Sequence, residues 1–197
     1  MTASISSLVV GPLENNAYLL EAGGKRVRPV LVLLAAQLGD GVTDAVIQSA
    51  TALEITHLAS LYHDDVMDEA ALRRGVPSAH TVWGNSVAII TGDLLFARAS
   101  KLLVDLGDDA LRLHADTFER LCLGQLHETT GPREGEDPVE HYLQVLADKT
   151  GSLIATAAES GVRFSNAPRE HIAPLREFGE RVGIAFQIAD DVIDLSP

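Results

Sequence analysis

Two groups of aspartates have the spacing of metal-binding side chains. The first lies in "HDDVMD" at residues 63–68 and the second in "ADDVID" at residues 189–194. In each group, aspartates four residues apart lie one turn apart on the same face of a helix, so both carboxylates can bind one cation or neighbouring cations. Ligands made only of oxygen favour a hard ion such as Mg²⁺. Apolar residues flank both groups, which argues against ordinary solvated helix ends.

Basic side chains near the start of the chain suit phosphate binding. The stretch "GGKRVRP" places Lys25, Arg26 and Arg28 after a flexible glycine pair, and such cations bind phosphate through charged hydrogen bonds. His57 precedes Asp64 by about two turns and can donate to the same ligand. Taken singly, the basic stretch also fits an ordinary solvated turn, and the histidine also fits a structural role.

Further polar residues occupy positions from which they can reach the aspartates. Arg73 and Arg74 follow the first aspartate group by only a few residues, so their side chains can reach back to it from a loop. Lys149 and Thr150 lie in "ADKTGSLIA" among small and apolar residues, where a buried lysine needs an anionic partner. Gln187 shares a helix face with the second aspartate group. Carboxylates surrounded by fixed cations suit a metal-bound diphosphate ligand.

The segments that carry these residues have the pattern of helices. Hydrophobic residues make up 46% of the chain and aromatic residues only 5%, and long stretches without proline favour helices over sheets. Thr43 suits an N-cap, Asp137 and Pro138 suit a helix start, and Pro174 predicts a kink or restart in the last helix. We predict helices at residues 29–38, 45–70, 85–106, 109–129, 138–162 and 168–197.

The overall composition argues against several functional classes. With 28 acidic and 15 basic residues, the net charge of −13 repels nucleic-acid phosphates, so we expect no nucleic-acid partner. The longest apolar run, "VLVLLAA", is far below the roughly 18 residues of a transmembrane segment. Cys122, expected on a buried helix face, has no second cysteine with which to pair. These features predict a soluble, cytoplasmic protein.

The order of the motifs resembles that of the trans-isoprenyl diphosphate synthases, in particular long-chain polyprenyl diphosphate synthases. The stretches "GGKRVRP", "LYHDDVMDEAALRRGVPSAH", "DKTGS" and "FQIADDVIDLS" carry the resemblance. It implies an all-α helical bundle around a central cavity, with the two Asp-rich motifs on facing helices, and usually a homodimer. The implied activity is a prenyltransferase that condenses isopentenyl diphosphate with an allylic diphosphate to make a long all-trans chain.

The same resemblance implies a role for each matching residue. Three Mg²⁺ ions would be held by Asp64, Asp68 and Asp190. The allylic diphosphate would be contacted by Arg73, Lys149 and Gln187, and isopentenyl diphosphate by Lys25, Arg28, His57 and Arg74. Thr150 and Gln187 would also face the allylic cation that develops during the reaction.

Product length is predicted from the helix that precedes the first motif. In short-chain family members, bulky aromatic residues just before this motif form the floor of the cavity. Here Ala59 and Ser60 occupy those positions, and Thr56 continues the helix downward without an aromatic side chain. We therefore expect a product longer than farnesyl diphosphate and longer than geranylgeranyl diphosphate, unless a bulky residue of another helix closes the cavity.

Two features depart from the family pattern. Family members continue beyond the second motif into several more helices, and they enter "GGKR" from amphipathic helices. We therefore expect an incomplete isoprenoid synthase-like domain at residues 23–197 that lacks its C-terminal helices. Residues 1–22 form an atypical segment, whose "SISSLVV" has strand-like content.

Two alternatives to a working prenyltransferase follow from the motifs. A truncated prenyl-diphosphate-binding or regulatory subunit, weakly active or inactive, would keep the ligand contacts without efficient turnover. A terpene cyclase would share an Asp-rich motif and Mg²⁺ chemistry. The isopentenyl-binding set and the second DDxxD motif argue against the cyclase.

Overall fold

Helices dominate the structure, a computed structural model that describes residues 18–194 without the side chain of Asp194. The α-helices in this span are α1 (Tyr18–Glu21), α2 (Val27–Ala35), α3 (Asp44–Met67), α4 (Ala79–Trp83), α5 (Asn85–Val104), α6 (Asp108–Thr130), α7 (Pro138–Leu146), α8 (Ser152–Phe164) and α9 (Ile172–Asp194). Short 3₁₀ turns lie at Ala36–Leu38 and Arg169–His171, and a π-helical segment, Ala147–Gly151, joins α7 to α8. The prediction of an all-α fold is confirmed.

Several helix boundaries agree with the capping residues read from the sequence. The Thr43 hydroxyl accepts a hydrogen bond from the backbone N–H of Val46 at 3.2 Å, which caps α3. The Asp137 carboxylate accepts from the backbone N–H groups of Val139 and Glu140, and Pro138 is the first residue of α7. Both caps satisfy N–H groups that have no partner within their own helix.

Other predictions differ from the structure. The single helix expected at residues 138–162 is three elements, because the backbone widens into the π-helical segment between α7 and α8. The restart expected at Pro174 lies two residues earlier: a 3₁₀ turn at Arg169–His171 precedes α9, which begins at Ile172, so this proline lies in the first turn, where an N–H has no helical partner to lose. The loop expected after α3 contains an antiparallel hairpin, β1 (Leu72–Arg73) paired with β2 (Val76–Pro77).

Two further expectations concern a side chain and the chain start. Cys122 was expected on a buried helix face. That expectation was wrong, because Cys122 is exposed on α6. The strand-like stretch "SISSLVV" lies outside the described residues. Within residues 18–194, no helix is long and apolar enough to span a membrane.

Helix α3 occupies the centre of the bundle. Residues 49–56 and 58–60 are all buried, as expected for a helix surrounded by other elements. It packs against α5 on one side and against α2 and α8 on the other, while α9 packs along α8. The first aspartate group, at the C-terminal end of α3, is therefore attached to the most enclosed helix of the bundle.

Two glycines let α9 lie close to α8 and to the π-helical segment. A Cβ at Gly183 would lie 2.7 Å from the Cα of Gly151, and a Cβ at Gly179 would lie 2.8 Å from the Cα of Ala155. Both distances are shorter than a van der Waals contact, so larger residues would push α9 away. Because Gly183 precedes Gln187 by one turn, this approach sets the distance between α9 and the Lys149 segment.

Candidate active site

The first aspartate group divides into two available carboxylates and one buried carboxylate. Asp64 and Asp68 lie at the end of α3, and neither carboxylate has a hydrogen bond or ion pair to any residue that the structure describes. Burial raises the pKa of Asp64 to about 6, although the charge of Lys149 acts in the opposite direction. Asp65 is fully buried and accepts a hydrogen bond from Arg73 Nε at 2.6 Å. Asp64 and Asp68 therefore remain for an external cation.

The second aspartate group is divided in a similar way. Asp190 lies at a cavity lined by basic residues. Asp191 accepts hydrogen bonds from Gln187 Nε2 at 2.9 Å and from the Tyr142 hydroxyl at 2.5 Å. Among residues 18–194, no three His, Cys, Asp or Glu side chains lie close enough to hold a metal ion by themselves. Any metal at Asp64, Asp68 or Asp190 would therefore need water or a ligand to complete its shell.

The predicted isopentenyl diphosphate residues surround one cavity of about 360 Å³. Lys25, Arg28, His57 and Arg74 all line it, together with the carboxylates of the buried Glu54 and of Asp190. Nε of Arg28 is buried without a hydrogen-bond partner in the described part of the chain. Burial lowers the pKa of Arg28 to about 10, with Glu54 acting in the opposite direction. The excess of positive charge favours an anion with several oxygens.

Two arginines that line this basic cavity are held by hydrogen bonds to other parts of the chain. Arg26 also lines this cavity, and its guanidinium donates to Glu54 at 2.6 Å and to the Leu20 carbonyl at 2.7 Å. Arg74 donates to the carbonyls of Leu19 and Gly23. These contacts attach the start of α2 and the hairpin to α1 and α3.

His57 is expected to make folding sensitive to acid. Burial, and then the positive charges of Arg28, Arg74, Arg73 and Arg26, lower the pKa of His57 well below its ordinary 6.5. The unfolded chain therefore binds a proton below about pH 6.5 that the folded chain does not, and stability is lost as the pH falls. His57→Asn is expected to reduce this loss by up to about 1.4 kcal/mol per pH unit.

Urea unfolding at pH 7 and at about pH 5.5 measures this effect. His171→Asn, in the 3₁₀ turn far along the chain, is the matched control and should keep the wild-type dependence. An equal pH dependence in wild type and His57→Asn would contradict the assignment of a neutral imidazole.

Two of the three residues predicted to bind the allylic diphosphate lie on a second cavity of about 360 Å³, and the third, Arg73, does not line it. Lys149, Thr150 and Gln187 line it, together with Glu128 and Asp191. The ammonium group of Lys149 contacts Glu128 Oε2 at 2.5 Å, which supplies the anionic partner that the sequence required. Thr150 Oγ1 donates to Gln187 Oε1 at 3.1 Å. Arg73, assigned to the same diphosphate, lies in the hairpin and is paired with Asp65.

The π-helical segment that carries Lys149 and Thr150 is attached to two other helices. Arg120 of α6 donates to Asp148 of this segment and to Glu180 of α9, both at 2.8 Å. A Cβ at Gly124 would lie 2.7 Å from the backbone nitrogen of Lys149, so α6 contacts this segment directly. Single turns of π-helix occur often at functional sites, and here one presents Lys149 and Thr150 to the cavity.

A third cavity, of about 470 Å³, is mainly apolar. Asp64 and Ser60 of α3 line it, and Phe96 of α5 and Phe118 of α6 lie on its wall with ring centroids 4.1 Å apart. Ala59 and Thr56, which the sequence linked to product length, are fully buried and do not line this cavity. Ala59 instead packs in a core cluster with Leu58 and other buried residues.

Comparison with known proteins identifies the family of the chain. Residues 13–197 match the family model described as polyprenyl synthetase. The nonaprenyl diphosphate synthase of Mycobacterium tuberculosis is 52% identical over 90% of this chain and 53% of its own length. Heptaprenyl diphosphate synthase component 2 of Geobacillus stearothermophilus is 42% identical over 94% of this chain and 59% of its own length. The chain thus spans little more than half the length of these relatives.

The solved structures agree with this assignment. The geranylgeranyl pyrophosphate synthase of Corynebacterium glutamicum, complexed with calcium and isoprenyl diphosphate, is 47% identical, with a TM-score of 0.86 over 96% of this chain and 59% of that chain. The helical bundle described above is therefore the isoprenoid synthase fold. The chain belongs to the polyprenyl synthetase family.

Proposed function

We propose that this chain carries the site of a Mg²⁺-dependent prenyltransferase, which joins isopentenyl diphosphate to an allylic prenyl diphosphate and makes a long all-trans polyprenyl diphosphate. The observation that carries this proposal is the presence of two separate polar cavities, one with an excess of basic side chains around Arg28 and the other lined by Lys149 together with Glu128 and Asp191. Two cavities suit two diphosphates. An apolar cavity with Asp64 on its wall suits the hydrocarbon chain of the allylic substrate.

The available carboxylates fit Mg²⁺ as the metal. Mg²⁺ accepts oxygen ligands, keeps several waters, and is commonly held by one or two carboxylates together with substrate phosphates. The unpartnered carboxylates of Asp64 and Asp68 meet that requirement, and Asp190 would add a ligand from α9. We propose that these residues hold the three Mg²⁺ ions of the site. When bound, the metal would neutralise charge on the leaving diphosphate.

The protein residues would orient both substrates before any bond breaks. Lys149, Gln187 and Arg73 would bind the allylic diphosphate. Lys25, Arg28, His57 and Arg74 would bind isopentenyl diphosphate, where the unpaired Nε of Arg28 would gain a partner. Holding the two reactants at fixed positions removes much of the entropic barrier to their reaction.

The chemistry then requires no protein nucleophile. The C–O bond of the allylic diphosphate breaks, and its electron pair leaves with the diphosphate, whose charge Lys149 stabilises. Oxygens of Thr150 and Gln187 would face the resulting allylic cation. The double bond of isopentenyl diphosphate attacks this cation and forms the new C–C bond. This attack leaves a positive charge on the other carbon of that double bond. A proton is then lost from the carbon next to this charge and is accepted by the departed diphosphate, and this loss forms a new double bond.

An incorporation assay tests this proposal. The purified chain is incubated with Mg²⁺, farnesyl diphosphate and radiolabelled isopentenyl diphosphate, and the label is followed into longer prenyl diphosphates. Extended product is the expected result. Thermal stabilisation by the two diphosphates without product would favour a binding or regulatory subunit, and cyclic hydrocarbon released from farnesyl diphosphate alone would favour a terpene cyclase.

Product length is expected to depend on Ser60 and on the Phe96–Phe118 pair, because these residues line the apolar cavity. Ser60→Phe should fill the cavity and shorten the main product by at least one isoprene unit, whereas Phe118→Ala should lengthen it. Mass spectrometry of the dephosphorylated products measures both shifts. Unchanged product length in both variants would show that another part of the protein terminates growth.

The assembly of the chain belongs to the same proposal. We expect a homodimer, as the resemblance implies. The Geobacillus stearothermophilus relative, by contrast, is named as component 2 of a heptaprenyl diphosphate synthase. The cytoplasmic location and the boundary between residues 1–22 and 23–197 also stay predictions.

A further inference from the structure

A chain of hydrogen bonds connects four side chains along the Lys149 cavity. Thr150 Oγ1 donates to Gln187 Oε1 at 3.1 Å, Gln187 Nε2 donates to Asp191 Oδ1 at 2.9 Å, and the Tyr142 hydroxyl donates to Asp191 Oδ2 at 2.5 Å. All four residues line this cavity. The chain of bonds therefore connects α7 and the π-helical segment to α9.

The partners in this chain determine which way the Gln187 amide points. An ionised carboxylate only accepts hydrogen bonds, so Asp191 must receive the NH₂ group of Gln187. The amide oxygen then faces Thr150, whose hydroxyl is a donor. If Asp191 rotated, the amide would lose the partner that selects this orientation. Tyr142, which occupies the second oxygen of Asp191, opposes that rotation.

We propose that Tyr142 is a positioning residue that keeps the Gln187 amide oxygen directed toward Thr150. This inference rests on the proposed function, in which the oxygens of Gln187 and Thr150 face a developing allylic cation. An amide oxygen carries partial negative charge and stabilises the cation, whereas an NH₂ group at the same place repels it. Tyr142 thus acts on the ionisation step through Asp191.

The position of Tyr142 separates this role from a structural one. Tyr142 is 39% exposed on α7. Within the described part of the chain, its hydroxyl makes one hydrogen bond, to Asp191. Tyr142→Phe keeps the ring and removes the hydroxyl, so the bundle should fold as before. Tyr18→Phe is the matched control, because it also removes one hydroxyl hydrogen bond, to the Pro77 carbonyl at 2.8 Å.

The first test measures the Gln187 amide itself and needs no catalytic activity. The chain is labelled with ¹⁵N-glutamine, and the side-chain NH₂ signals of Gln187 are assigned with Gln187→Leu. We expect Tyr142→Phe to shift these signals and to bring its two proton frequencies closer together, while Tyr18→Phe leaves them in place. Gln187 signals that stay unchanged in Tyr142→Phe would overturn the proposal.

The second test measures the consequence for catalysis. Tyr142→Phe is expected to lower kcat by about tenfold to a hundredfold, because it removes the hydrogen bond that orients Asp191 and through it Gln187, with KM for either diphosphate changed by less than about twofold. In the Gln187→Leu background, the same substitution should have little further effect. An equal fall of kcat in the wild-type and Gln187→Leu backgrounds, or a rise of KM at unchanged kcat, would overturn the proposed role of Tyr142. If the wild-type chain makes no product, the proposed function fails, and the NMR result alone decides the role of Tyr142.

Discussion

Replacing Asp64 with asparagine is expected to lower kcat/KM for the allylic diphosphate by at least about a hundredfold. Asparagine has nearly the same shape but lacks the negative charge that holds a divalent cation, and Asp64 has no hydrogen bond or ion pair in the described chain that the change would break. Burial raises the pKa of Asp64 to about 6, so removal of its charge should not destabilise the fold. The loss should therefore be specific to metal-dependent binding and turnover.

The control for this experiment is Asp116→Asn. Asp116 is exposed in the middle of α6, so the substitution removes the same charge from the same kind of element. Thermal unfolding with Mg²⁺ and farnesyl diphosphate, with and without chelator, measures binding alongside the kinetic assay. If Asp64→Asn retained wild-type Mg²⁺-dependent stabilisation and turnover, Asp64 would not be a metal ligand.

Replacing Arg28 with methionine is expected to make the protein more stable and less able to bind isopentenyl diphosphate. Nε of Arg28 is buried without a partner, and methionine of similar length removes that desolvated charge, so the free energy of unfolding should rise by about 1 kcal/mol. Loss of charged hydrogen bonds to a diphosphate should weaken binding by about tenfold to a hundredfold.

Opposite changes in stability and binding distinguish a ligand-binding arginine from a structural one. Urea unfolding measures the stability, and calorimetry with isopentenyl diphosphate measures the binding. Arg112→Met, at an exposed position of α6, should leave both unchanged. A less stable Arg28→Met protein with normal affinity would mean that Arg28 stabilises the fold and does not bind the diphosphate.

Local signals predicted much of the fold. Thr43 and the Asp137–Pro138 pair cap the helices that the sequence assigned to them, because capping depends only on neighbouring residues. The π-helical segment at Ala147–Gly151 was not predicted, since its widened backbone depends on α6 and α9 packing around it. Burial of Cys122 was predicted wrongly, because helical periodicity does not tell which apolar face lines a cavity.

The site shows the same division between local and tertiary information. The need of Lys149 for an anionic partner followed from its apolar neighbours, but the partner, Glu128, is 21 residues away on another helix. The role of Tyr142 could not be predicted from the sequence, because a single tyrosine on a helix is equally compatible with a plain surface position. Phe96 and Phe118 meet only across two helices, so no sequence pattern indicated them. The residues before the first motif pointed to Ala59, Ser60 and Thr56, of which Ser60 lines the apolar cavity and the other two do not.

The exposed apolar side chains of α9 bear on how this chain functions. Phe178, Val182 and Phe186 are exposed at one-turn intervals, and Lys25 of the basic cavity lies 5.3 Å from the centre of the Phe186 ring. Helix α9 also carries Gln187 and Asp190. The stability of α9 and the geometry of the basic cavity are therefore physically connected, so ligand binding at Lys25 and Arg28 should stabilise α9.

Simultaneous binding of two different diphosphates tests the central claim most directly. Calorimetric titration of the chain in Mg²⁺ first uses a non-reactive thio analogue of farnesyl diphosphate, and isopentenyl diphosphate is then added to the saturated protein. The two-cavity site predicts one equivalent of each ligand per chain, with the second ligand binding while the first stays bound. Displacement of the first diphosphate by the second, or binding of neither, would contradict it.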